Sequence, residues 1–163
     1  MENKREQSEF ECAICAGDTN FYENIKEIIK RVGWMVIAVG TEDDGIIPFA
    51  YTIGVSETFN HPEFFISGLD MLTSQSILNA IVLKIKTHEE KIKSGDLLDE
   101  IIDGGYQMKV IQMDTDTYKD RIIQAVEYYK KNLSFLQVVW PDTEGEFISK
   151  TEDAQEYCGI KLH

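Results

Sequence analysis

Three apolar segments crowd into the stretch from Trp34 to Ser67, and they constrain the fold more than any other feature of the chain. Trp34-Met35-Val36-Ile37-Ala38-Val39 reads as a strand, Glu42-Asp43-Asp44-Gly45 as a turn, and Pro48-Phe49-Ala50-Tyr51-Thr52-Ile53-Gly54 as the returning strand. Phe64-Phe65-Ile66-Ser67 supplies a third after the loop Ser56 to Pro62. Strands this close in sequence favour an antiparallel meander. Their nearly unbroken apolar character indicates a sheet covered on both faces.

The covering elements are helical. Phe21, Ile25, Ile28, Ile29 and Val32 fall at helical spacing, with Asn20 and Glu23 as a capping pair and Gly33 at the C-terminal cap. A second helix is predicted from a Thr73 or Ser74 cap to Gly95, burying Ile77, Ile81, Ile85, a partly buried His88 and Ile92. Its other side carries Lys84, Lys86, Lys91 and Lys93, read as a solvated basic face. Tyr106 to Met113 is a strand, Tyr118 to Tyr129 a third helix, Phe135 to Trp140 a last strand, and Pro141 to Gly145 a turn. This order lacks the strict alternation of a doubly wound sheet. The prediction is an α+β fold: a mainly antiparallel sheet packed with about three helices in a single compact domain. Residues 1–11 read as a flexible tail and residues 12–163 as the globular domain, within one chain of 163 residues.

Charge narrows the partners. The net charge is −13, with acid spread along the whole chain. That field repels phosphate backbones and anionic lipid, so duplex nucleic acid and membranes are excluded as partners. An ordinary solvated surface accounts for the acid, and the sharper reading is an acidic face that meets a basic protein partner. No apolar run approaches the roughly 20 residues that span a bilayer, and the polar start Met1 to Glu6 is not a signal peptide. Three cysteines, an odd number, suit no disulfide framework and point to a reducing cytoplasm.

Gly33-Trp34, Pro48-Phe49-Ala50-Tyr51-Thr52-Ile53-Gly54, His61-Pro62-Glu63 and Gln137-Val138-Val139-Trp140-Pro141-Asp142 form, in order and spacing, a set of blocks. Together they resemble those of a bacterial family designated domain of unknown function 4262, over roughly residues 20–150. Members of that family often begin with a Cys-x-x-Cys pair, as this chain does at Cys12 and Cys15. The resemblance implies a shared fold and a shared site, and carries over no reaction and no catalytic residue.

The blocks nominate site residues. Pro62 biases His61 toward an extended conformation at a loop-to-strand junction. His61 with Glu63 could form an acid/base pair and Tyr51 bind a polar ligand. The alternative is a His61 that caps backbone groups and a packed Tyr51 whose hydroxyl is satisfied. An imidazole at such a junction would tolerate His61→Ala with a near-normal fold. Trp140 could wall a ligand pocket with Asp142 accepting hydrogen bonds, against the alternative of a core-edge Trp and a turn-forming Asp. Two functions follow: a binding module, of neutralising or immunity type, that covers a basic protein, or a small-molecule site around Tyr51, His61, Glu63 and Trp140, belonging either to a ligand-sequestering protein or to an unrecognised enzyme. The meander also faintly resembles split-barrel flavin reductases, but no basic residue near it would hold the phosphate of FMN. Cys12 and Cys15, with Cys158 and His163, have the donor set and spacings of a structural zinc site. Unbound reduced thiols and a redox couple are the other readings of the same residues.

Overall fold

The computed structural model describes residues 20–40, 47–131, 133–147 and 154–160. Helix α1 spans Phe21–Val32 and buries Phe21, Ile25 and Ile29, one turn apart on one face. Glu23 in its first turn and Lys30 and Arg31 in its last oppose the helix dipole. The Gly33 N–H closes its end on the Ile29 carbonyl at 2.8 Å.

Strands β1 (Met35–Val39), β2 (Phe49–Ile53) and β3 (Glu63–Ser67) form the expected antiparallel meander, with Ile37 opposite Tyr51 and Tyr51 opposite Phe65. Between β2 and β3 a short helix, α2 (Val55–Phe59), replaces the open loop predicted there. Helix α3 (Met71–His88) begins earlier than its apolar pattern indicates. Its cap is Asp70, which accepts from Thr73 N at 2.8 Å and Thr73 Oγ1 at 2.7 Å. Exposed Met71 and Leu72 hide that first turn from any periodicity argument. The helix ends at His88, which is exposed rather than partly buried, and Ile92 reaches the core from the following loop instead of from a helix.

The chain returns through β4 (Leu97–Leu98), β5 (Met108–Gln112), a 3-10 turn (Lys119–Arg121), α4 (Ile123–Tyr129) and β6 (Phe135–Val139). The single third helix predicted is thus divided at Ile122, whose φ of −127° and ψ of 35° are not helical. The six-stranded sheet has the order β1-β2-β3-β6-β5-β4. Strand β6 is inserted at its centre, parallel to β3 (Phe64 opposite Leu136) and antiparallel to β5 (Val110 opposite Val138). The fold is therefore a single α+β domain with a mixed, mostly antiparallel sheet.

Strand alternation sorts the core into two layers. Ala50, Phe64, Ile66, Leu136 and Val138 pack under Ile77, Leu78 and Ile81 of α3. Phe49, Tyr51, Phe65 and Phe135 pack on the opposite face with Ile25 of α1 and Ala125 of α4. Phe49 stacks on Phe65 with centroids 5.6 Å apart, and Phe135 meets Tyr51 edge-on at 6.2 Å. Each such buried large side chain contributes about 1.5–3 kcal/mol. No helix among the described residues is long and apolar enough to cross a membrane.

Candidate functional site

Glu63 begins β3, yet its carboxylate is completely buried at the N-terminal end of α2. Oε1 accepts from Gly54 N at 2.9 Å, Ser56 N at 3.1 Å and Tyr129 Oη at 2.7 Å. Oε2 accepts from Thr52 Oγ1 at 2.6 Å and Val55 N at 3.3 Å. The carboxylate thus takes the amides that the first turn of a helix leaves without intrahelical partners. Burial pushes the Glu63 carboxyl above the ordinary value, while bonds from Thr52, Tyr129, Ser56 and Gly54 pull it back down. Gly54 makes this turn with φ at 108°, and a Cβ there would stand 2.8 Å from the Gly33 carbonyl oxygen. The Gly-to-Glu spacing in the meander therefore builds a rigid corner that binds α1, β2, α2 and α4 together.

The other candidates are distributed around the sheet. Tyr51 is buried on the α1/α4 side, its hydroxyl donating to Gln124 Oε1 and accepting from Gln124 N. Burial pushes that phenol far above its ordinary value. His61 stacks on Phe64 in the α3 layer, with centroids 5.3 Å apart. Its Nε2 accepts the Ile92 N–H at 2.9 Å, which makes Nδ1 the donor to the Pro62 carbonyl at 2.9 Å. Against the expected tolerance of His61→Ala stands the geometry, because His61 is buried and accepts the N–H of Ile92 in the segment after α3.

Trp140 packs against the α3 layer and donates from Nε1 to the Ser67 carbonyl at 2.7 Å. Asp142 Oδ1 accepts from Glu144 N and Glu146 N, both at 2.9 Å, so it shapes a turn. Its Oδ2 is buried without a hydrogen-bond partner among the described residues. Tyr51 and Glu63 thus belong to one side of the sheet and its corner, and His61 and Trp140 to the other.

Sequence reasoning overlooked a polar strap made by residues 154–160. The Glu156 N–H donates to Ser67 Oγ at 2.8 Å, and Ser67 Oγ donates to the Glu156 carbonyl at 3.0 Å. Buried Gln137 of β6 donates from Nε2 to that same carbonyl and accepts the Cys158 N–H on Oε1 at 2.7 Å. Gln155 exchanges both its amide groups with the Trp140 backbone. The signal is present, since Ser67 and Gln137 are polar residues in otherwise apolar segments. Their partners were not legible.

Cys12, Cys15 and His163 lie outside the described residues. Cys158 is completely buried in the α1/α4 layer. Burial first, and Glu156 second, push its thiol up to about 12, with Arg121 opposing. Such surroundings favour the protonated thiol, whereas a zinc ligand is a thiolate. Among the described residues no group of three or more His, Cys, Asp or Glu side chains is placed to hold a metal.

Acid and apolar surface meet at the β4 edge. Asp99, Glu100 and Asp103 are exposed, as is Leu97, in one segment with the half-buried Ile101 and Ile102, which pack against the α3-side core. Tyr106 donates to the Thr143 carbonyl at 2.9 Å, joining this loop to the turn that exposes Glu144 and Glu146. Gln107 holds Asp99 at 2.7 Å, and Lys84 Nζ donates to the Asp99 main-chain oxygen at 2.6 Å.

Architecture and site together define a single α+β domain whose buried polar groups lock loops and a C-terminal strap onto a mixed sheet. The chain belongs to the family of the domain of unknown function DUF4262, whose model matches residues 28–152. Neither the curated proteins nor the solved structures compared with it give a match.

Proposed function

We propose that this protein is a non-catalytic binding module, of neutralising or immunity type, that recognises a basic protein partner through an acidic surface. The observation that carries this reading is the β4 edge, where exposed Asp99, Glu100 and Asp103 adjoin in sequence the exposed Leu97 and the half-buried Ile101 and Ile102, and where Tyr106 ties this loop to the turn that exposes Glu144 and Glu146. Exposed carboxylates beside partly exposed apolar side chains suit a basic amphipathic surface, with the carboxylates steering approach. A pocket built on Tyr51, His61, Glu63 and Trp140 has less support, because their polar groups are engaged by internal hydrogen bonds on different sides of the sheet. A reducing cytoplasm suits the module, with the Cys158 thiol retained unpaired. Zinc at Cys12, Cys15, Cys158 and His163 is a separate proposal, to which the burial of the Cys158 thiol is opposed.

An amide chemical-shift map of isotope-labelled protein titrated with an oligo-lysine peptide tests the reading. Saturable shifts should gather on residues 96–106 and 142–147. Charge reversal at Asp99, Glu100 and Asp103 should weaken binding at least about tenfold at physiological ionic strength. Shifts spread evenly over exposed carboxylates elsewhere, such as Glu23 and Glu27 of α1 and Glu89 and Glu90 after α3, or reversal without effect, would refute it.

A further inference from the structure

We infer that a cleft between the 3-10 turn and the C-terminal end of α4 binds a small amphipathic anion, a carboxylate or phosphate on an apolar body. The cleft measures about 350 Å³, the lower range of small-ligand sites. Its apolar lining is Ile122, Val126 and Leu133, and its ammonium groups are Lys119, Lys130 and Lys131. These lysines come from two segments and border one cleft with Val126 and Leu133, in a chain whose net charge is −13. Complementing the dipole of α4 accounts for Lys130 and Lys131 at its end, but not for Lys119.

Two acids also line the cleft and set its balance. Asp116 lies 4.0 Å from Lys119 and takes part of that charge. Glu127 acts on Tyr22, whose phenol it helps to raise after burial. Among the described residues neither Lys130 nor Lys131 is in an ion pair, and both are exposed and line the cleft. Thr115 adds a hydroxyl at the rim. An ammonium is a compact charge that accepts either a carboxylate or a phosphate without demanding planar, two-pronged geometry. The apolar lining then requires a hydrocarbon or aromatic body, and the acidic remainder of the surface repels the same ligand elsewhere. The site is independent of the acidic β4 edge and would be unaffected by failure of the partner reading.

Anilinonaphthalene sulfonate, an anion with an aromatic body, is the direct probe for the full-length protein. Its fluorescence should saturate at one site and weaken steeply between about 20 mM and about 0.5 M salt. The variant Lys119→Gln, Lys130→Gln, Lys131→Gln should bind at least about tenfold more weakly with unchanged near-ultraviolet dichroism. The double variant Lys119→Gln, Lys131→Gln leaves the α4 cap residue intact and should fall between the two. Octanoate and octyl phosphate are the competing ligands, and the stronger displacer names the anionic group. No saturable binding, equal binding by the triple variant, or equal displacement by neutral octanol would overturn the inference.

Discussion

Thr52 Oγ1 donates to Glu63 Oε2 at 2.6 Å and accepts the Phe64 N–H at 2.9 Å, joining two neighbouring strands through side chains in the buried interior. The same carboxylate receives the amides of Gly54, Val55 and Ser56, so one residue satisfies the start of α2 while Thr52 ties it to β3. Glu63→Gln should therefore destabilise the fold by at least about 3 kcal/mol, since an amide NH₂ would face donors already aimed at that position. Urea denaturation followed by tryptophan fluorescence measures it. A loss below about 0.5 kcal/mol would show that the corner relaxes around a neutral group.

His61→Ala should cost about 1–3 kcal/mol, because the Ile92 N–H loses its acceptor in a buried site. Hydrogen exchange at Ile92 gives the local readout and should accelerate. Exchange that stays as slow as in the parent would mean that another acceptor replaces the imidazole.

For Trp140 two variants separate packing from hydrogen bonding. Trp140→Phe keeps most of the contact with the α3 layer and loses the bond to the Ser67 carbonyl, an expected cost of about 1 kcal/mol. Trp140→Ala should cost about 3 kcal/mol or more, by losing the ring as well. Thermal melts that rank the two equally would contradict this division.

Gly68 has φ of 90°, and a Cβ there would fall 2.1 Å from the Ala154 carbonyl oxygen. Gly68→Ala should lift the strap, costing about 1–3 kcal/mol. Exchange of the Glu156, Cys158 and Ile160 amides should quicken before that of β2 or β6. Uniform acceleration across the sheet would mean that the strap is not a separable unit.

Cys158 gives the pH prediction. Its folded thiol is raised from 9.0 to about 12, so the folded state holds the proton more tightly than the unfolded chain does. The corresponding stability is complete below the ordinary thiol value and is lost as pH rises from about 9 towards 12. Cys158→Ala should show a shallower alkaline decline in denaturation midpoint than the parent. Zinc analysis of protein purified without a His tag adds a second readout. Metal content should be the same in Cys158→Ser as in the parent, and zinc that disappears with Cys158 would establish it as a ligand.

Local pattern was enough to place α1, with its Gly33 cap, and the meander from Met35 to Ser67, because each rests on residues a few positions apart. Spacing also marked β5 and β6 and carried the family blocks, while the negative charge followed from composition. Only the tertiary structure decided that β6 enters between β3 and β5, that Gln137 and Ser67 capture Glu156, and that His61 and Glu63, two residues apart, serve different parts of the sheet. The physical reason is that a helix or hairpin is selected by nearby residues, whereas a buried polar side chain takes whichever unsatisfied backbone group the packed chain brings to it. For Ser67 that group lies 89 residues away, beyond the reach of any periodicity.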